Sequence, residues 1–240
     1  MEFDVVTLFP EIIEAPLQCT ILARARQKGL LTVRTHQLRD HADGPHRRVD
    51  DQPYGGGGGM VMKPDPIFAA VSAIRSQHPR SSSRTILLSP QGRRFDHEQA
   101  VRLSLVERVI LICGRYEGVD ERVRLGLVDE DLSIGDYVLT GGELPALVVI
   151  DAVTRLIPGV VGEGESVLND SFAEGVLACP QYTRPAAFEG MEVPEVLRSG
   201  RHEEIEGWRR QMALENTRRR RPDLLAGEPA DAGPARRGRI

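Results

Sequence analysis

The chain has 240 residues, 40% of them apolar and 28% charged, with a formal net charge of −4. Such a composition fits one or two globular domains and excludes a disordered or fibrous chain. It contains no apolar run of the ~18 residues that a membrane-spanning helix needs. The acidic start, Met1-Glu2-Phe3-Asp4, lacks the basic residues of a signal peptide, and Cys19, Cys113 and Cys179 are too scattered for zinc or a disulfide framework. A reduced, cytoplasmic setting is expected, with no membrane association.

Charge is segregated along the chain. Residues 116–175 hold 13 acids against three arginines, whereas residues 75–94 hold five arginines and no acid. Residues 201–240 hold ten arginines, including the unbroken run Arg218-Arg219-Arg220-Arg221. Basic residues kept in patches can hold phosphates locally even in an acidic protein. Composition therefore permits an RNA partner without requiring one.

The first 155 residues alternate between strand and helix periodicity. Phe3–Phe9 reads as a strand, and Pro10 opens a helix that runs to about Gly29 and breaks near Pro16. Leu31–Leu38 reads as a strand and residues 39–63 as loop. Pro64–His78 has a helical pattern, Thr85–Ser89 is a strand, and Asp96 caps a helix through Val106. Arg108–Cys113 (RVILIC) is a continuous run of the kind found in strands buried in parallel sheets. A short helix Asp120–Leu127, strands Asp131–Ile134 and Tyr137–Leu139, and an apolar helix Glu143–Leu156 follow. The pattern predicts an α/β domain with a mainly parallel sheet over residues 1–158. Residues 159–170 begin with the glycine-rich Gly159–Ser166 and read as a flexible linker. Residues 171–225 read as a small helical domain built on a polar helix around Arg201–Arg219, and residues 226–240 as a disordered tail.

Three Gly- and Pro-marked loops each follow a predicted strand. They are Ser89-Pro90-Gln91-Gly92-Arg93, then Gly114 through Arg122, then Ser133 through Pro145. Ligands of open α/β sheets bind outside the carboxyl ends of the strands, so three such loops can build one pocket. The pentaglycine Gly55–Gly59 is not a phosphate loop, because Met60-Val61-Met62 stands where Gly-Lys-Ser/Thr would be required. Six histidines without ligand spacing leave no metal cage, and no G-x-S-x-G marks a nucleophilic serine. Asp151 and Arg155 stand at ion-pair spacing on one helix, and Asp170 taken alone reads as a cap or solvated loop acid.

The motifs LLSPQGR (Leu87–Arg93), CGRYEGVDER (Cys113–Arg122), SIGDYVLTGGELPA (Ser133–Ala146), VDDQPYGGG (Val49–Gly57) and CPQYTRP (Cys179–Pro185) occur in this order. Together they resemble the bacterial tRNA (guanine-N1)-methyltransferases, from Phe3 to about Leu225. One departure is Gly58, where the family usually carries proline. The resemblance implies a SPOUT fold whose sheet ends in a deep trefoil knot, formed between about Leu87 and Leu156. True knots are nearly absent from proteins, and nothing in the periodicity points to one.

It further implies binding of S-adenosyl-L-methionine by Leu88, Ser89, Pro90, Gly114, Tyr116, Glu117, Gly118, Ser133, Ile134, Gly135, Asp136, Tyr137, Val138, Leu139, Gly141, Gly142 and Pro145. The implied reaction is methylation of N1 of the guanosine at tRNA position 37, immediately 3′ of the anticodon. Guanine N1 carries a proton at neutral pH, and a carboxylate that removes it contributes ~10²–10⁴-fold. The resemblance assigns that role to Asp170, and stabilisation of the charge on O6 to Arg155. It also implies a homodimer with active sites at the subunit interface, and a second domain that grips the anticodon arm. Arg184, Arg218, Arg219, Arg220 and Arg221 become phosphate contacts on that reading. Ribose 2′-O-methylation by a related fold, and a non-catalytic RNA-binding module, remain as alternatives. The sequence does not decide whether a divalent ion such as Mg²⁺ takes part.

Overall fold

Five parallel strands, in the order β2-β1-β6-β5-β7, form the central sheet: β1 (Glu2–Thr7), β2 (Thr32–Gln37), β5 (Ser83–Arg94), β6 (Arg108–Cys113) and β7 (Glu130–Ser133). The computed structural model describes residues 1–78, 82–161 and 170–225. The chain divides into two compact units, Met1–Gly162 and Glu163–Ile240.

In the first unit, strand alternation sends neighbouring residues to opposite faces and so builds two cores. On one face Phe3, Val5, Val109, Leu111 and Cys113 pack with residues of α1 (Pro10–Glu14), α2 (Thr20–Gln27), α4 (His97–Ser104) and α6 (Glu143–Arg155). On the other, Val6, Ile110 and Ile112 pack with α3 (Pro64–Gln77) and with Val123 of α5 (Glu121–Leu127). Helices on both faces of a parallel sheet give a three-layer α/β/α unit. All six residues of β6 are buried, which explains the apolar run Val109–Cys113.

Several expected elements differ in extent. Pro16 does break the first helix, into α1, a 3-10 turn Pro16–Gln18 and α2. Asp96 Oδ1 accepts from the Gln99 backbone N–H at 2.9 Å and caps α4, which ends at Ser104. The expected loop 39–63 contains a short antiparallel pair, β3 (Asp50–Asp51) and β4 (Val61–Met62). Strand β5 runs on to Arg94, well past Ser89, because Leu88 and Arg93 both pair with Leu132 and the four residues between them are set outside the register. Tyr137–Leu139 is not a strand. Gly135 has φ of 149°, the Tyr137 N–H and hydroxyl turn back to the Gly135 and Ile134 carbonyls, and Val138 is 82% exposed. Of the expected linker, residues 162–169 lie outside the described residues, as does the expected tail 226–240.

The second unit contains a two-residue antiparallel pair, β8 (Ala187–Phe188) and β9 (Met191–Glu192), helix Glu195–Arg198 and the long helix His202–Arg220. Buried Thr217 ties the long helix to the segment before it. Its hydroxyl donates to the Ala213 carbonyl at 2.7 Å and accepts the Leu177 N–H at 2.9 Å. Among the described residues no helix is long and apolar enough to cross a membrane.

Along β1 and β2 and at the amino end of β6 the alternation brings charges together on one face. Buried Asp4 accepts from Arg108 at 2.5 Å and contacts His36 Nε2 at 2.8 Å, while Glu2 bonds Arg34 at 2.8 Å and also Arg108. Burial alone would raise the Asp4 carboxyl, but the His36 bond and the Arg108 guanidinium outweigh it and hold it below its ordinary value of 3.8. Glu2 is lowered too, chiefly by its bond to Arg34. A lowered acid stabilises the fold fully above its unfolded value, and that contribution is lost as pH falls through the folded value. Breaking a buried charge pair costs about 3–5 kcal/mol. Asp4→Asn should accordingly lower unfolding stability by about 3 kcal/mol at pH 7. In denaturant titrations the gap from wild type should narrow as pH drops below 3.8. A gap independent of pH would show that Asp4 acts through shape alone.

Candidate active site

The three loops that follow β5, β6 and β7 enclose one cavity of about 290 Å³ in the first unit. Its walls include Leu88, Ser89 and Pro90 from the first loop, and Gly114, Tyr116, Glu117 and Gly118 from the second. The third contributes Ser133, Ile134, Gly135, Tyr137, Val138, Leu139, Gly141, Gly142 and Pro145. Of the residues expected in a cofactor pocket only Asp136 is missing from the lining, and it is exposed.

Close backbone approaches set the shape of this cavity. Gly142 donates its N–H to the Gly114 carbonyl at 2.9 Å, docking the start of α6 against the end of β6. A Cβ on Gly142 would lie 2.7 Å from Cys113 Cα and 3.1 Å from the Gly114 nitrogen. The second loop is clamped from outside. Its Glu117 N–H and Gly118 carbonyl bond the Met60 carbonyl and Met62 N–H, at 3.0 and 2.9 Å. The last residue of the pentaglycine, Gly59, takes φ of +85° and leaves room for the Glu117 side chain, which a Cβ there would meet at 2.5 Å. One end of that puzzling run is thus a place of close packing.

Three residues to which the sequence assigned no role, Glu143, Arg115 and Arg124, hold the cavity electrostatically. Glu143, 1% exposed at the first turn of α6, accepts from Thr7 Oγ1 at 2.7 Å and from Arg115 Nε at 3.2 Å. The Arg115 guanidinium also lies 4.2 Å above the Phe9 ring centroid, a cation–π contact. Arg124 pairs with Asp131 at 2.6 Å and Glu121 at 3.0 Å and reaches Gln91 at 3.1 Å. A glutamate opening an apolar helix and an arginine inside an acid-rich stretch were the available signals. Their partners stand 28 and 136 residues from Glu143, and spacing alone could not supply them.

Counting these partners, carboxylates at the cavity (Glu117, Glu121, Asp131, Glu143) outnumber the guanidinium groups of Arg115 and Arg124 by four to two. Burial pushes the Asp131 carboxyl up, against the opposing pull of Arg124. Burial, reinforced by the Glu143 charge, drives the Cys113 thiol well up, so it is unsuited to act as a thiolate nucleophile. Among the described residues no group of three or more His, Cys, Asp or Glu side chains could hold a metal ion.

Arg155, half-buried, closes the last turn of α6 in the first unit, whereas Asp170 is an exposed residue of the second. Arg184 is exposed, and Arg218, Arg219 and Arg220 are exposed in the last turn of the long helix, where cations suit the helix dipole. Arg221 is already engaged. Its fork bonds Asp223 at 2.6–3.1 Å, and it lies 5.9 Å over the Phe172 ring.

The close approach at Gly142 makes a direct prediction. Gly142→Ala should lower stability by about 1–3 kcal/mol, the usual range for overpacking. Gly58→Ala, whose Cβ would meet nothing within 4 Å, should leave the thermal midpoint unchanged. Equal midpoints for the two variants would mean that the β6–α6 junction yields without cost.

Comparison with known proteins matches residues 1–227 to the family described as tRNA (Guanine-1)-methyltransferase TrmD. The tRNA (guanine-N(1)-)-methyltransferase of Geobacter sulfurreducens is 56% identical over 225 residues, covering 94% of this chain and 91% of that protein. That of Moorella thermoacetica is 57% identical over 226 residues, covering 94% and 90%. That of Geobacter metallireducens is 52% identical over 236 residues, covering 98% and 96%. With the family pattern spanning nearly the whole sequence and identities above one half, this chain belongs to the tRNA (guanine-N1)-methyltransferase family.

Proposed function

We propose that this enzyme transfers the methyl group of S-adenosyl-L-methionine to N1 of guanosine 37 of tRNA, in the cytoplasm and as a homodimer. The observation that carries the reading is the convergence of the three family motifs on one cavity at the carboxyl ends of β5, β6 and β7. The donor set suits this cosubstrate. Apolar Leu88, Ile134, Leu139 and Pro145 can flank an adenine, loop amides and carbonyls can read its edge, and the acidic excess matches a sulfonium cation. When bound, S-adenosylmethionine supplies an electrophilic methyl group.

The chain's own residues then have two tasks. Asp170 takes the N1 proton, so that the nitrogen lone pair becomes available. Arg155 stabilises the negative charge that deprotonation places on O6, as an oxyanion hole would. Transfer in line needs no covalent enzyme intermediate, in keeping with Cys113, whose thiol burial holds well above its ordinary value. Residues 1–158 serve as the methyltransferase domain and residues 171–225 as the RNA-gripping one, with Arg184, Arg218, Arg219 and Arg220 on phosphates. Arg221, already paired with Asp223, is left to hold the helix end.

We also propose that the chain between Leu87 and Leu156 is knotted as in the SPOUT fold. Supporting this are the pairing of Leu132 with both Leu88 and Arg93 and the tight passage of Gly92, whose Cβ would lie 2.5 Å from the Asp131–Leu132 peptide.

Methyl transfer from labelled S-adenosylmethionine to a tRNA transcript, followed by nuclease mapping, tests the reaction. The label should reside on the base of guanosine 37. Label on a ribose, or on a transcript with adenosine at that position, would overturn the assignment. Asp170→Asn should abolish transfer and leave S-adenosylmethionine affinity nearly unchanged by calorimetry. Wild-type turnover would remove Asp170 from the mechanism. Arg155→Lys should slow single-turnover transfer markedly, since lysine keeps the charge but loses the planar fork.

A homodimer with interface sites places residues of both copies around each pocket. If Asp170 serves the partner's pocket, a differentially tagged heterodimer of Asp170→Ala with Gly141→Trp should regain one working site. The Gly141→Trp change blocks its own pocket, because a Cβ there already meets Glu143 and Arg115 at 2.5 and 2.6 Å. Background activity from a folded, mixed dimer would place the base in its own chain.

A further inference from the structure

The second unit has a cavity of its own, about 600 Å³, between the segment that begins at Pro180 and the long helix. Its chemistry is opposite to that of the first. Arg184, Arg198 and Arg209 line it together with Tyr182 and Trp208, and no aspartate or glutamate does. Arg209 is paired with Glu206 at 3.0 Å. Among the described residues neither Arg184 nor Arg198 has a carboxylate within ion-pair distance, and both are exposed. The Tyr182 and Trp208 rings are 6.3 Å apart and tilted by 55°, so they do not close on each other face to face, and Tyr182 is 49% exposed.

Resting on the function proposed above, we infer that this cavity binds one unpaired nucleotide of the tRNA substrate, with its base against Tyr182 and Trp208 and its phosphate on Arg184 and Arg198. The aromatic and the cationic parts of the wall each suit that occupant. Aromatic faces with guanidinium groups beside them are how proteins hold single-stranded nucleic acid, since every base has a face to stack. Unpartnered arginine forks match the two oxygens of a phosphate. Cationic S-adenosylmethionine is repelled here, which keeps the methyl donor to the first cavity. An acidic peptide would satisfy the arginines but leave the aromatic walls without a function. RNA loops, unlike duplexes, offer splayed bases, so the occupant comes from a loop of the tRNA and is distinct from the guanosine that receives the methyl group.

Trp208 is the sole tryptophan of the chain and reports on its own cavity. The full-length protein is titrated with an anticodon stem–loop RNA, with heparin, and with polyglutamate, while tryptophan fluorescence is followed. Stacking should quench Trp208 with the RNA and with neither polyanion. Quenching of equal size by heparin or polyglutamate would overturn the inference in favour of a general anion surface or an acidic protein partner. In steady-state methyl transfer, Tyr182→Ala and the double variant Arg184→Ala/Arg198→Ala should each raise KM for tRNA about tenfold, within the range stacking supplies per base. Their kcat should stay within about twofold, and Tyr182→Phe, which keeps the ring, should restore KM.

Far-UV circular dichroism and unchanged S-adenosylmethionine affinity identify variants that remain folded. Unchanged KM in both variants, beside an active wild type, would refute the pocket and leave the methyltransferase reading standing. A wild type that does not methylate guanine N1 would refute that reading. The fluorescence titration still decides the pocket in that case.

Discussion

Everything around the first cavity hangs on the buried carboxylate of Glu143. It faces the amino end of α6, where helix amides favour negative charge. It also receives the Thr7 hydroxyl from the end of β1 and the Arg115 guanidinium from the loop after β6. Arg115 in turn covers Phe9, two residues beyond Thr7, so one ion pair joins three segments that are distant in sequence. A buried pair of this kind is expensive to desolvate and is weak evidence for net stability. Its consequence here is geometric. It fixes the loop of Gly114–Gly118 relative to Gly141–Gly142, the two walls whose separation defines the cavity.

That geometry leaves little slack, because glycine sits where backbone meets backbone. Gly142 against Cys113 and Gly92 against the Asp131–Leu132 peptide are contacts that no side chain allows. Rigid walls matter for methyl transfer, since reacting atoms must be aligned to within fractions of an ångström before the step gains from proximity. The strands beneath are held at their other ends by the Asp4, Glu2 and Arg108 cluster, so the sheet is pinned by charge at its amino end and packed by glycine at its carboxyl end.

Much of this was legible in the sequence wherever the signal was local. The apolar run of β6, the break at Pro16, the Asp96 cap and the position of α6 follow from composition and spacing within a few residues. The pocket walls were legible too, because turn residues after strands mark the ligand end of a parallel sheet. What escaped was non-local. Ser89-Pro90-Gln91-Gly92 looks like the end of a strand, and only the second pairing of Leu132 shows that β5 resumes at Arg93. Tyr137–Leu139 has strand-forming residues but turns back on itself through Gly135. Propensity yields there to a backbone conformation that only glycine adopts readily. Arg115 and Glu143 lie within the expected loops, but their pairing was not legible, because a charge gives no hint of its partner across 28 to 136 residues of chain.

The segregation of charge along the sequence acquires a physical meaning once the two cavities are compared. An acidic enzyme faces a conflict if it must hold both a sulfonium and a polyphosphate, since a field that attracts one repels the other. In this chain the 13 acids of residues 116–175 include those that surround the first cavity, and the second cavity has arginine and aromatic walls with no acid. On the proposed reading, methyl donor and RNA are sorted by sign before any specific contact forms. The sorting has a consequence for salt. Neutralised phosphates release counterions, so RNA affinity should fall steeply with ionic strength. A cation held inside a walled cavity by nearby carboxylates is screened far less.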